Sequence, residues 1–163
     1  MNAPAPAPAA HEQIKIRLKQ IADFSFNVSF EDTDAPDLIT DEPAPLGKGE
    51  GPNPSRMLLA AVANCLAASL LFSLRKFKNQ PTRIDAEVRG TLGRNEEGRL
   101  RVQHVEVELN LGDAADSYEH LDRILQQFER FCVVTESVRA GIDVSVAVRD
   151  AGGNVVHRSG GVA

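Results

Sequence analysis

Residues 53 to 77, "NPSRMLLAAVANCLAASLLFSLRKF", constrain the fold more than any other stretch. Asn53 can cap free amides, and Pro54 suits the first helical position because the amide it lacks would have no partner there. An apolar run rich in alanine and leucine follows, with Arg75, Lys76 and Lys78 where the negative end of a helix dipole would fall. The pattern predicts one helix over 54–77. Asn64, Ser69 and Ser73 interrupt its apolar window from Met57 to Leu74, and alanine dilutes it. That composition points to the core of a folded domain rather than to a membrane span.

A helix this apolar needs partners, and alternating patterns on both sides provide them. "IKIRLKQIADFSFNVSF" carries two alternating runs, from Ile14 to Leu18 and from Phe24 to Phe30, either a hairpin or one long bent strand. Residues 31–53 have no period and are rich in proline and glycine, so they read as a surface loop with a short extended piece at "DLIT". "RIDAEVRGTL" and "RLRVQHVEVELNL" form a hairpin pattern around "GRNEEG". The apolar parity of its second strand switches between Val102 and Val105, which predicts a bulge near Gln103 and His104.

Tyr118, Leu121, Ile124, Leu125, Phe128 and Phe131 recur at helical spacing and predict an amphipathic helix over 115–131. "CVVTESVRAG" predicts a short helix that stops at Gly141, "IDVSVAV" a half-exposed strand, and "RDAGGNVV" the turn of a last hairpin. Strands, long helix, strands, helix pair and strands follow one another without the regular alternation of a doubly wound fold. The expected class is α+β, an antiparallel sheet packed on a long central helix and a helix pair.

The chain of 163 residues is 42% apolar, enough for one domain with its own core. Its opening, "MNAPAPAPAA", cannot build a helix or a ladder, since each proline removes an amide donor. We expect a disordered tail over 1–12 and a single domain over 13–163. The tail lacks the basic start and leucine-rich centre of a secretory signal, so the expected location is cytoplasmic. Eighteen basic against 23 acidic residues give a formal charge of -5 with no long run of either sign. That disfavours nucleic acid as a partner. No dinucleotide or phosphate-loop fingerprint is present, and the four histidines lack the spacing of a metal site, so no cofactor and no metal are expected.

Two cysteines are too few for a secreted disulfide scaffold, and a bridge between them would be catalytic rather than structural. Cys65 lies on the long helix, with Leu58, Ala61, Val62, Ser69 and Phe72 at the positions that share its face. By itself that pattern describes a buried, inert thiol. Cys132 sits at the joint between two helical patterns, where the free amides of a helix start favour a thiolate. An ordinary thiol near pKa 8.5 is roughly 3% ionised at pH 7, so a shift of two units raises the thiolate population about twentyfold.

Together these stretches resemble the OsmC/Ohr family of thiol-dependent hydroperoxide reductases. "GPNPSRMLLAAVANCLAASL" is similar to that family's helix motif, G-x-N-P-x-x-L-x-x-A-x-x-x-C, with its cysteine at Cys65. "CVVTESV" is similar to its second motif, C-P-[VI]-S-x-[AS], with the other cysteine at Cys132, and the order of elements agrees over residues 13 to 157. The resemblance implies an intertwined homodimer, a peroxidatic Cys65 that becomes a sulfenic acid, and a resolving Cys132 that closes a disulfide. It also implies a hydroperoxide or other apolar small molecule as substrate and a dithiol as reductant.

Two departures from the Ohr branch stand out. Ser55 occupies the position where that branch has a glutamate, and no arginine falls between Ala22 and Phe30, the nearest being Arg17. Losing one donor aimed at a developing oxyanion costs roughly two to three orders of magnitude. Glu50, before the helix, and Arg56, in its first turn, are the candidate accessory residues beside Ser55. The departures keep an alternative open, a non-catalytic small-molecule binding or stress-related protein on the same fold. A structural dimer with merely buried cysteines is the third reading.

Overall fold

The computed structural model describes residues 13–141, 146–149 and 155–159. The expected tail over 1–12 and the last turn, over 150–154, lie outside them. The chain divides into two compact units, residues 1–57 and 58–163.

In the first unit, β1 (Ile16–Ala22), β2 (Ser25–Phe30) and β3 (Leu38–Thr40) form an antiparallel sheet in that order. The two alternating runs are therefore a hairpin, turning at Asp23, which takes a positive φ of 33°. Arg17 and Glu31, at the open end of the hairpin, form an ion pair at 2.6 Å. The expected strand at "DLIT" is β3. After it, the buried Asp41 carboxylate gathers the loop that leads to the helix, accepting the amides of Glu42, Lys48 and Glu50 at 2.8, 2.9 and 3.2 Å. Gly51 passes so close to the Ile39 carbonyl that a side chain there would collide with it.

α1 (Pro54–Lys76) starts where the sequence places it, with Asn53 Oδ1 accepting the amide of Arg56 at 3.1 Å. By length and composition α1 could cross a membrane. One side of it is instead core: Val62, Leu66, Leu70 and Leu74 pack with Tyr118, Ile124, Phe128 and Cys132. β4 (Ile84–Arg94) and β5 (Leu100–Leu111) make a long antiparallel hairpin whose Ile84, Val105, Val107, Leu109 and Leu111 pack against that cluster. Its register slips where Thr91 pairs with His104 and Leu92 with Val102, leaving Gln103 as the extra residue of the predicted bulge. β6 (Val146–Arg149) and β7 (Val155–Ser159) pair antiparallel. The class is α+β with antiparallel sheets, as expected.

The helix expected over 115–131 does not form as one element. It is a single 3-10 turn at Ala115–Ser117, the short α2 (Leu121–Leu125) and a second 3-10 turn at Phe128–Phe131. The apolar stripe is real, since Tyr118, Ile124 and Phe128 are buried. What breaks the helix is a tertiary clamp on its backbone. The buried Asn79 side chain donates to the Glu119 carbonyl at 3.0 Å and accepts the Glu119 amide at 2.8 Å, so neither group is left for a helical ladder. His120 then turns through a positive φ of 57° before α2 begins. α3 (Val133–Ala140) follows and ends at Gly141, whose φ of 73° suits glycine, as the sequence predicts.

The break is held at its front by Asp113, which accepts the Thr82 amide at 2.8 Å and the Tyr118 hydroxyl at 2.8 Å. The Thr82 amide first, and then the Tyr118 hydroxyl, lower the Asp113 pKa below the ordinary 3.8. A carboxylate with a depressed folded pKa stabilises the fold at pH values above its unfolded pKa, and that stability is lost as pH falls through the folded value. Stability measured by urea unfolding should therefore decline below about pH 4, and Asp113→Asn should flatten that limb of the curve. An unchanged acid limb in Asp113→Asn would refute the assignment.

Candidate active site: a thiol pair at a helix start

Cys65 and Cys132, separated by 67 positions in the sequence, come together at the start of α3, Cys65 packed against the core cluster that holds Cys132 and each thiol shifting the other's titration. α1 supplies Cys65 from the middle of its length, half-buried beside the core cluster. Cys132 is the residue before α3, in extended backbone geometry (φ -82°, ψ 96°), and its side chain is 0% exposed. Both are free thiols.

Polar groups converge on the two sulfurs from a mostly apolar surrounding. Thr135 Oγ1 lies 2.9 Å from Cys132 Sγ, and the buried Ser69 hydroxyl, one turn of α1 beyond Cys65, also acts to lower the pKa of that thiol. The backbone amides of Val134 and Thr135, in the first turn of α3, reach Cys65, and the Thr135 amide also serves Cys132. The sequence places Cys132 at a helix start, and it is the residue that precedes α3. Sequence reasoning placed Ser69 only as a neighbour on the Cys65 face and missed Thr135.

These contacts divide the proton unequally. Burial, first, and then the bond to Cys132 push the Cys65 thiol above its ordinary value. Burial also acts to raise Cys132, but bonds from Cys65, Thr135 and Ser69 outweigh it and leave Cys132 lowered. Of the two, Cys132 is the thiol that ionises more readily.

A mainly apolar groove of about 590 Å³ is lined by Val62 and Leu66 of α1, Val105 and Val107 of β5, Phe128 and Thr135; neither cysteine lines it. Thr135 thus touches both the groove and the Cys132 sulfur. Arg139, at the edge of the groove, is committed to Glu129 at 2.6 Å and Glu136 at 2.8 Å.

The accessory candidates fall in the first unit. Glu50 lies in the Asp41 loop, exposed and tied by its amide to that carboxylate. Ser55 and Arg56 occupy the first turn of α1, ten and nine residues before Cys65, about 14 Å along the helix axis. Arg17, the nearest arginine to the early strands, is paired with Glu31. Among the described residues, the polar groups that act on the thiols are hydroxyls and amides of α1 and α3, with no arginine or glutamate beside them.

The sequence profile of the OsmC-like protein family matches residues 47–147, which hold both cysteines. A search of curated proteins finds no match. Among solved structures, an OsmC-like protein from Mycoplasma pneumoniae superposes with a TM-score of 0.63 at 13% identity, over 78% of this chain and 88% of that one. The organic hydroperoxide resistance protein OhrB of Bacillus subtilis gives 0.59 at 18% identity, covering 82% and 95%. An organic hydroperoxide resistance protein of Legionella pneumophila gives 0.61 at 16% identity, covering 83% and 95%. With a profile match over most of its length and this shared fold, the chain belongs to the OsmC-like protein family.

Proposed function

We propose that the protein is a thiol-dependent reductase of hydroperoxides, organic ones preferred, working as a cytoplasmic homodimer. The observation that carries this reading is the meeting of two free thiols at a helix start, where Thr135 joins Cys132 to an apolar groove. Names of the structural neighbours from B. subtilis and L. pneumophila support the substrate class. Exposed Phe72 and Phe131, which stack edge to face at 6.3 Å, form an apolar patch that supports contact with a second copy.

In this reading Cys65, the half-buried thiol, meets the substrate. It passes its proton to Cys132, and its thiolate attacks the terminal peroxide oxygen. The O–O bond breaks with both its electrons on the alkoxide, which takes the proton back from Cys132, leaving Cys65 as a sulfenic acid. The Cys132 thiolate then attacks the sulfenic sulfur, the S–O bond breaks with its electrons on oxygen, and the departing hydroxide takes a proton from solvent to leave as water. A dithiol reduces the resulting disulfide. The α3 amides and the two hydroxyls supply positive potential that the Ohr-branch arginine supplies elsewhere.

Counting free thiols after mixing reduced protein with cumene hydroperoxide tests the proposal. Both thiols should disappear together at about one equivalent of peroxide, as one disulfide forms. Survival of Cys65 at excess peroxide would defeat it. The commitment of Arg139 to two carboxylates favours one second reading, a non-catalytic protein that binds an apolar small molecule in the groove. That reading predicts intact thiols and a melting temperature raised by apolar ligands.

A further inference from the structure

The two sulfurs differ in access and in what holds them, and the difference bears on how a disulfide between them would be opened. Resting on the redox reading above, we propose that the dithiol attacks Cys65, and that Cys132 departs as a thiolate held by the hydroxyls of Thr135 and Ser69. Thiol–disulfide exchange needs an incoming thiolate to reach one sulfur in line with the bond it breaks, and it is fastest when the departing sulfur is the more stable anion. Cys132 has no exposed surface, whereas Cys65 is half-buried. The same asymmetry fixes the leaving group: Thr135 Oγ1, in the first turn of α3, stands 2.9 Å from Cys132 Sγ, and the Thr135 amide and the Ser69 hydroxyl also act to lower the pKa of that thiol. Access and anion stabilisation therefore select the same direction.

The balance is simple. The reductant thiolate forms a bond to Cys65 Sγ as the Cys65–Cys132 bond breaks, and the electron pair of that bond stays on Cys132. The second thiol of the reductant then attacks its own sulfur in the mixed disulfide, closing an oxidised cyclic reductant and releasing the Cys65 thiolate, which takes up a proton. Thr135 is a positioning residue in this step, since it acts on the reductant only through Cys132.

The test uses the full chain oxidised with diamide, which makes the disulfide without peroxide. The oxidised protein is mixed briefly with 2-mercaptoethanol, a monothiol that cannot finish the reaction, then blocked with N-ethylmaleimide, digested and weighed by mass spectrometry. The adduct should sit on the Cys65 peptide, at least about tenfold over the Cys132 peptide. An adduct mainly on Cys132, or shared equally, would overturn the inference. Failure of diamide to form the bridge would do so too. Because peroxide plays no part, opening at Cys132 would leave the peroxidase reading standing, and a failed thiol count with peroxide would leave this direction of opening standing. Thr135→Val should raise the Cys132 pKa, read from thiolate absorbance against pH, and slow opening roughly three- to tenfold. Thr135→Ser, which keeps the hydroxyl, should restore both. Equal pKa and rate in all three proteins would refute the role of Thr135, with the adduct position in the unaltered chain as the independent check.

Discussion

Cys65→Ser should reduce hydroperoxide consumption in the presence of excess dithiol on the order of a thousandfold or more. A serine hydroxyl is not ionised near neutral pH and is a poor nucleophile toward peroxide oxygen, so nothing at that position could begin the reaction. The informative comparison is with Cys132→Ser. Without the second thiol, Cys65 can still take one oxygen, and one equivalent of peroxide should vanish, leaving a sulfenic acid open to further oxidation. Steady turnover should fail in both variants, and the first equivalent should fail only in Cys65→Ser. Consumption of one equivalent by Cys65→Ser but not by Cys132→Ser would reverse the assigned roles. That reversal is worth testing directly, because the lower pKa lies on Cys132 and the better access on Cys65.

The other large effect is on stability. Leu74 is 0% exposed and closes the C-terminal end of the core cluster that runs along α1 through Val62, Leu66 and Leu70. Leu74→Ala removes three carbon atoms from a packed site and should cost about 2–5 kcal/mol in unfolding free energy, the spread reflecting how far the neighbours relax. The carbonyl of Leu74 also accepts the Asn79 amide at 3.0 Å, so the residue anchors the turn that carries the Asn79 clamp. Relaxation is thereby limited, which places the cost in the upper part of that range. Chemical denaturation at neutral pH would check it, and a loss below about 1 kcal/mol would show that Leu74 is not a core anchor.

How much of this was legible depended on whether local pattern or distant contact decided each element. α1 was legible because its start, its apolar length and its basic end are all local signals, and it ends at Lys76 within a residue of the expected limit. The bulge at Gln103 was legible because an extra residue flips side-chain parity, which the sequence displays. The region 115–131 was misread, since periodicity reports which side chains face the core but not whether the backbone between them stays helical. Asn79, some forty positions away from Glu119, decides that, and no local signal encodes it. At the site, the helix-start environment of Cys132 was readable from its position between two patterns. The approach of Cys65 to it followed only from the family resemblance. Thr135 and Ser69 were not readable as sulfur partners, because short hydroxyl residues on helices usually bond their own backbone.

Cys132 interrupts the chain in one further sense. Had the backbone stayed helical from Phe128 through Ala140, the amide of Val134 would have been consumed by the carbonyl of Arg130 and that of Thr135 by the carbonyl of Phe131. The extended geometry at Cys132 cancels both of those bonds and leaves two donors free to act on the sulfurs. The surroundings of the pair thus depend on the backbone geometry of one residue, and a substitution that healed the interruption would take both amides away from the thiols without touching either one.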